Sequence, residues 1–404
     1  MTKQIDPIID NFLKHNNTNV KILDAIVVLN KNCSHVDISK LCTLKELDKP
    51  EYHLHELKQI TGKFCRETLI KLINHPEVNY VHHDYVVKVN LNIATATIQS
   101  KSANTVHRLT GKGVTVAVLD TGVFRHYDLI HPTNRIIDFV DFVNGRTIPY
   151  DDNGHGTHIA GEIAGNGAAS SKLYSGVAPE ANIVGVKVLD EQGNGNVSDV
   201  IAGINWAIEN RIRLGIRVIN LSLGATPSTS YINDPLAQAC ERAWESGIVV
   251  IAAAGNTGPE GTINTPGFDP LILTIGATND RNTSNLNDDL PAPYTSSKPT
   301  VDGFIKPDIA VPGTNITSLV SPNSTLVNKF PDNRVGANYF TLSGTSMATG
   351  IASGLVAILL QAYPPYSPDT VKVRLIEASH YFAPDFPGYS LAMKLLQMTT
   401  KIHS

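Results

Sequence analysis

Four short stretches of the chain carry residue types that do chemistry when a fold brings them together. Asp120 closes the apolar run 114–119 (VTVAVL), where a carboxylate costs desolvation unless donors hydrogen-bond to it. It caps a turn with Thr121 and Gly122 or serves as a buried acceptor. His155 lies in NGHGTH (153–158) at the expected start of a helix, with a glycine on each side. Such glycines point to open space and close backbone approach. His155 and His158 are three apart, but no glutamate completes HExxH and no cysteine lies nearby, so metal binding is disfavoured. His158 reads as a packed core histidine. Asn256 follows the apolar run 248–254 in AAAGN; it either makes a turn or aims an amide N–H at a developing negative charge. Ser346 lies in LSGTSMA (342–348) just before a strongly apolar helix. There it caps the helix or uses the free N–H groups and positive dipole end, which favour an oxyanion.

The elements that must position these residues follow from the apolar pattern. Continuous apolar runs at 114–119, 183–189, 218–223, 248–254 and 272–277 are expected of strands covered on both faces. Helical patterns fall between them at 155–164, 197–210, 235–245 and 346–363. This alternation predicts an α/β fold, doubly wound around a mainly parallel sheet. Its ligands belong beyond the carboxyl ends of the strands.

The first hundred residues differ. They hold a single glycine, Gly62, and three of the four cysteines. A strand at 24–30, a helix at 66–74 and strands near 79–81 and 85–89 predict a small α+β unit. Residues 92–104 (NIATATIQSKSAN) are polar and small, as in a linker. The chain therefore divides into residues 1–91, a linker at 92–105 and a large domain at 106–404. A length of 404 residues suits one large and one small domain.

Composition narrows the classes. Hydrophobic residues make up 42%, as in ordinary globular proteins, and the net charge of −4 gives no argument for nucleic acid or an anionic membrane. Apolar runs such as 247–254 are too short to cross a bilayer. Residues 1–15 scatter charges where a secretion signal needs an apolar stretch. Cys33, Cys42, Cys65 and Cys240 show no CxxC and no metal-ligand spacing. Free thiols and a cytoplasmic location are the simplest expectation.

Together, the segments supply a carboxylate, an imidazole, an amide donor and a hydroxyl, in one of the three known chain orders of the hydrolytic triad. Over residues 106–363 the chain resembles a subtilisin-like serine protease, a subtilase, in VAVLDTG, NGHGTHIAG and GTSMA, and further in GVAPEANIVGVKVLD, SLG, AAAGN and KPDIAVPG. YDDNGHG (150–156) and residues 334–340 look most like the intracellular, AprX-type branch. The resemblance implies a serine endopeptidase with Ser346 as nucleophile, His155 as general base and Asp120 as its orienting partner. The Asn256 side chain and the Ser346 N–H would form the oxyanion hole. Protein or peptide substrate would bind as an added strand along Ser222, Leu223, Gly224 and Gly193, Asn194, Gly195. Ala252, Ala253, Ala254 and Gly255 would wall the first specificity pocket, with Asn264 near its floor. No acidic residue is evident there, which argues against an exclusive Lys or Arg requirement.

Residues 75–89 (HPEVNYVHHDYVVKV) resemble the end of an inhibitor-type subtilase propeptide. The implied protein is a zymogen whose propeptide assists folding of a slow, high-contact-order domain, blocks the cleft and is removed within the linker.

Three departures from the family pattern stand out. Gly350 replaces the usual proline after GTSMA, and glycine inside a helix loosens it. An alternative reading is therefore acyl transfer to amines; an inactive, binding-only subtilase fold is another. Residues 294–300 lack the glycine of SSRGP, and residues 386–397 lack the glycine-rich run that usually ends the domain. No cofactor is required for the chemistry. Structural calcium is conceivable at Asp280, Asp288, Asp289 or Asp302, but loop 165–176 carries no carboxylate.

Overall fold

The computed structural model describes residues 6–14, 21–84, 86–89, 108–281, 289–381 and 389–390. The expected linker at 92–105, Asp288 and nearly all of 386–397 lie outside the described residues. Seven strands run parallel, in the spatial order Ile136–Asp141, Asn182–Lys187, Thr115–Asp120, Ile216–Leu221, Val249–Ala253, Leu273–Asn279 and Ile309–Pro312. Short pieces complete the sheet: Tyr389–Ser390 pairs parallel with Ile309–Pro312, while His380–Tyr381 and Leu290–Pro291 pair antiparallel with their neighbours. The first of these strands in sequence, Thr115–Asp120, has all six residues buried, as its unbroken apolar run demands.

The chain winds from that strand to one side of the sheet and then crosses to the other. The order thus reverses around Thr115–Asp120, where open α/β sheets place their ligands. Successive strand residues face opposite ways, and the packing shows it. Leu119 lies by Gly203 of the helix Val197–Leu214, while Asp120 lies by Gly156 of the helix His155–Ala164. The fold is α/β, doubly wound around a mainly parallel sheet, with helices on both faces.

The helix Thr345–Ala362 packs on the His155–Ala164 helix and across several strands. Contrary to the expectation from run lengths, it is long and apolar enough to cross a bilayer; 89% of that stretch is buried inside the protein. Its apolarity is that of a core helix covered all round.

The N-terminal region forms a separate antiparallel sheet, ordered Lys49–Leu54, Gln59–Cys65, Ile22–Leu29 and Val78–His83. Two helices, Pro7–Lys14 and Arg66–Asn74, cover one face and enclose a small core of Ile9, Phe12, Val27, Phe64, Leu69 and Leu72. On the other face Ile26, Val28, Leu54 and Tyr80 join the large domain's apolar core. Hydrogen bonds cross this boundary, among them two from the Arg242 guanidinium to Glu56 O (both 3.4 Å). Ser198 N–H donates to Asp84 Oδ1 (3.0 Å), Tyr52 Oη–H to Asp199 Oδ1 (2.9 Å) and Gln59 Nε2–H to Pro235 O (3.2 Å).

Beyond that sheet, the strand Val86–Val89 leaves the small domain and enters the large one. It lies antiparallel between Leu223–Gly224 and Asn194–Asn196, making a three-stranded sheet with them.

Candidate active site

The strand Thr115–Asp120 ends on Asp120, and the helix His155–Ala164 begins on His155. Both side chains are fully buried. His155 Nδ1 lies 2.8 and 2.9 Å from the two Asp120 oxygens, and Thr121 N–H donates to Asp120 Oδ1 at 2.7 Å. These donors compensate the buried carboxylate, so Asp120 is an acceptor rather than a simple turn cap. With Nδ1 donating, the imidazole is basic at Nε2.

Glycines permit this approach. A Cβ on Gly156 would stand 2.2 Å from Gly122 O and 3.1 Å from Asp120 Cβ, and Gly154 takes φ +105° before the helix. The loop ahead of His155 is organised by buried Asp151. Thr121 Oγ1–H, Gly154 N–H, Thr157 N–H and Thr157 Oγ1–H all donate to its carboxylate, at 2.6–2.9 Å. Thr121 Oγ1 in turn accepts from Gly156 N–H (2.9 Å). The sequence marks Thr121 only as a turn partner of Asp120 and does not mark Asp151, because their roles depend on contacts between separate loops.

Ser346 is the second residue of the helix Thr345–Ala362 and is fully buried in this arrangement. Its hydroxyl donates to Ser222 O at 3.0 Å, and Ser222 Oγ–H donates back to Ser346 O at 3.0 Å. His155 Nε2 makes no hydrogen bond among the described residues. The expected Ser346–His155 bond is thus not formed here; such links often tighten only when substrate is bound. Ser222 contacts the start of the nucleophile helix and immediately precedes the paired edge Leu223–Gly224. A polar chain continues from it: Asn220 Nδ2–H donates to Ser222 Oγ (2.9 Å), and Ser353 Oγ–H to Asn220 Oδ1 (2.9 Å).

Asn256 is oriented by Thr345. Thr345 N–H (2.9 Å) and Oγ1–H (3.1 Å) both donate to Asn256 Oδ1. That fixes which end of the amide is oxygen and directs Nδ2 away from Thr345. Thr345 was also missed in the sequence, where only a helix-start threonine was visible.

The strand edges are Leu223–Gly224 and Asn194–Asn196. Gly193, expected in the second edge, lies in the preceding turn with φ +80°. The structure brings the expected pocket residues together. A Cβ on Gly224 would meet Asn264 Cβ at 2.9 Å, and one on Gly255 would meet Asn264 Cγ at 3.1 Å. Ala252, Ala253 and Ala254 are buried on and just after the adjoining strand.

His158 is a core residue, as expected. Its Nδ1 is 2.7 Å from Glu162 Oε1 and its Nε2 3.0 Å from Phe340 O. Burial pushes its pKa down to about 3 and holds Glu162 well above the usual carboxylate range. Both are therefore neutral: Glu162 donates its acid proton to Nδ1, and Nε2–H donates to Phe340 O. Glu162 drew no notice in the sequence, where it is one polar residue on an apolar helix.

Comparisons with known proteins identify the family. Residues 111–392 match the model of the subtilase family (Peptidase S8). The chain is 48% identical to serine protease AprX of Bacillus subtilis over 302 residues, 73% of this chain and 68% of that protein. It is 34% identical to subtilisin E of the same species over 317 residues, 77% of this chain and 72% of that protein. Among solved structures it resembles a cold-adapted subtilisin-like serine proteinase (TM-score 0.54, 31% identity, 70% of this chain and 89% of that one). It also resembles S41 psychrophilic protease (TM-score 0.56, 31% identity, 67% of this chain and 84% of that one). The chain belongs to the subtilase family and is a serine endopeptidase.

Proposed function

We propose that Ser346, His155 and Asp120 perform the peptide hydrolysis, and that the N-terminal domain is a propeptide that inhibits it until removed. The observation that carries the second part is the register of Val86–Val89 between Leu223–Gly224 and Asn194–Asn196. An extended substrate would take that place.

In the reaction, the Ser346 hydroxyl turns from Ser222 O to His155 Nε2, gives up its proton and attacks the scissile carbonyl. Asp120 holds the imidazole in the tautomer that accepts at Nε2 and stabilises the imidazolium that forms. The carbonyl oxygen gains negative charge beside Asn256 Nδ2–H and the Ser346 N–H at the helix start, donors positioned before reaction. His155 then protonates the leaving amine, and water repeats the sequence on the acyl-enzyme. Self-cleavage within the linker at 92–105 would free the cleft.

Incubation of the purified full chain, followed by intact mass and N-terminal sequencing, tests both parts. Wild type is expected to lose its first domain by a cut within residues 92–105 and then to label at Ser346 with a fluorophosphonate. Ser346→Ala is expected to remain whole. Processing of Ser346→Ala in the absence of other proteases, or full activity of uncut wild type, would refute the assignment.

A further inference from the structure

We propose that Cys33, His35 and Glu77 bind a divalent transition-metal ion of the zinc class at one end of the N-terminal domain. The site stands independently of the role proposed for that domain.

Two neighbouring turns build it. Cys33 and His35 follow the strand Ile22–Leu29, and Glu77 precedes the strand Val78–His83, its neighbour in the sheet. The turns are fastened together: Asn30 N–H donates to Glu77 O (2.9 Å) and Asn30 Nδ2–H to Pro76 O (2.8 Å). Glu77 N–H donates to His75 Nδ1 (3.2 Å), which fixes the backbone from which its carboxylate projects. Sulfur, nitrogen and oxygen donors from the three side chains all come within 4.8 Å of one another. Among the described residues this is the one such cluster of three metal-ligating groups.

The internal geometry fits an ion better than it fits direct pairing. His35 Nε2 and Glu77 Oε2 are 3.3 Å apart, yet Nε2 is buried and makes no hydrogen bond among the described residues. A tetrahedral ion with nitrogen and oxygen bonds of about 2.0–2.1 Å has an N···O edge of about 3.3 Å. The donor set decides the metal class. Thiolate and imidazole select zinc-like ions, whereas calcium and magnesium prefer oxygen alone. Three protein ligands leave one position for water.

Cys33 Sγ is buried, and its S–H donates to His35 O at 3.0 Å. Binding replaces that proton with the metal, so one proton is released per ion and affinity rises with pH. His35 and Glu77 are partly exposed and give the ion its entry. Because the three ligands come from two turns far apart in sequence, no linear spacing announces the site. The cysteine pattern alone therefore concealed it.

The test uses the full-length Ser346→Ala protein, stripped with chelator and titrated with Co²⁺ alone. A saturable thiolate-to-cobalt charge-transfer band at one equivalent, displaced by Zn²⁺, is expected. Cys33→Ser should abolish the band, and Cys42→Ser, in the same domain but outside the cluster, should leave it intact. Glu77→Gln, a change on the solvent side that spares the core, should weaken Co²⁺ binding roughly ten-fold or more. Zn²⁺ should raise the thermal transition of the parent but not that of Glu77→Gln. No band, a band that survives Cys33→Ser, or equal affinity in Glu77→Gln would each overturn the proposal.

Discussion

A Cβ on Gly350 would stand 2.2 Å from Glu162 Oε2 and 3.2 Å from Glu162 Cδ. The glycine that replaces the family's proline is thus filled by a side chain from the facing helix. Glu162 cannot simply swing away, because its Oε1 is engaged by His158, and His158 by Phe340 O. The helix runs unbroken from Thr345 to Ala362. Nothing in it supports a loosened site, and the comparisons offer nothing for acyl transfer.

Gly350→Ala is accordingly expected to destabilise the protein by about 1–3 kcal/mol through overpacking. Glu162→Ala in the same chain should relieve much of that cost, so the two substitutions will not be additive. Glu162→Gln, which keeps a neutral donor for His158, should cost far less than Glu162→Ala. Urea unfolding of the four chains in the Ser346→Ala background measures the coupling; strictly additive effects would count against this packing.

Removing the Asn256 amide should strike the transition state, not binding. For Asn256→Ala we expect kcat to fall roughly 10²–10³-fold, about 2.7–4 kcal/mol, with little change in KM; that magnitude comes from subtilisin itself, a relative of this chain. Thr345→Val, which keeps the backbone donor to Asn256 but loses the hydroxyl, should cost less. Steady-state kinetics on a peptide substrate decide the matter, and an unchanged kcat in Asn256→Ala would sink the assignment.

Gly156 is a third sensitive position. Alanine there would drive a methyl group into Gly122 O, a backbone atom, 2.2 Å away. The His155 helix must then shift from Asp120. A displacement of about 1 Å can cost 10²-fold in rate, so kcat should drop even where the protein still folds. Circular dichroism alongside kinetics separates the two effects. Normal activity in a folded Gly156→Ala would contradict the close approach.

The seating of the N-terminal domain should depend on pH. Asn196, the residue before the helix Val197–Leu214, makes no side-chain cap, and Asp84 from the other domain accepts from Ser198 N–H instead. Burial raises the Asp84 pKa to about 7, and likewise that of Asp199, the partner of Tyr52, to about 6. A carboxyl raised in the folded state contributes most below its ordinary value near 3.8, and loses that contribution as pH climbs through 6 to 7. In the Ser346→Ala chain, hydrogen exchange of the N-terminal domain should be slower at pH 5 than at pH 8, after correction for intrinsic rates. The difference should shrink in Asp84→Asn. Equal protection of wild type at both pH values would remove the linkage.

Much of the site was legible because its residues end strands or begin helices. Asp120 closes an apolar run, and His155 opens a periodic one. Such transitions survive in a linear reading. Contacts between separate segments do not survive it: Thr345 on Asn256, Asp151 under the His155 loop and Glu162 in the Gly350 space carry no periodic signal. The N-terminal domain was read in part for a related reason. Lys49–Leu54 (KPEYHL) is a largely exposed edge strand without alternation. Its neighbour Gln59–Cys65 is interrupted by Gly62, where a Cβ would lie 2.5 Å from Lys49 O. The helix Pro7–Lys14 spans only two turns, too short for its pattern to stand out.

The strand that occupies the cleft belongs to the same chain as the cleft. If that strand inhibits as proposed, a substrate competes with a neighbour whose effective concentration is set by covalent connection, typically of millimolar order for short tethers. Dilution cannot loosen that competition while the chain is whole. After the proposed cut, the same contacts would become bimolecular, and simple dilution would begin to favour the open enzyme. On the proposed scheme, one broken bond would change the molecularity of inhibition before it changes a single contact.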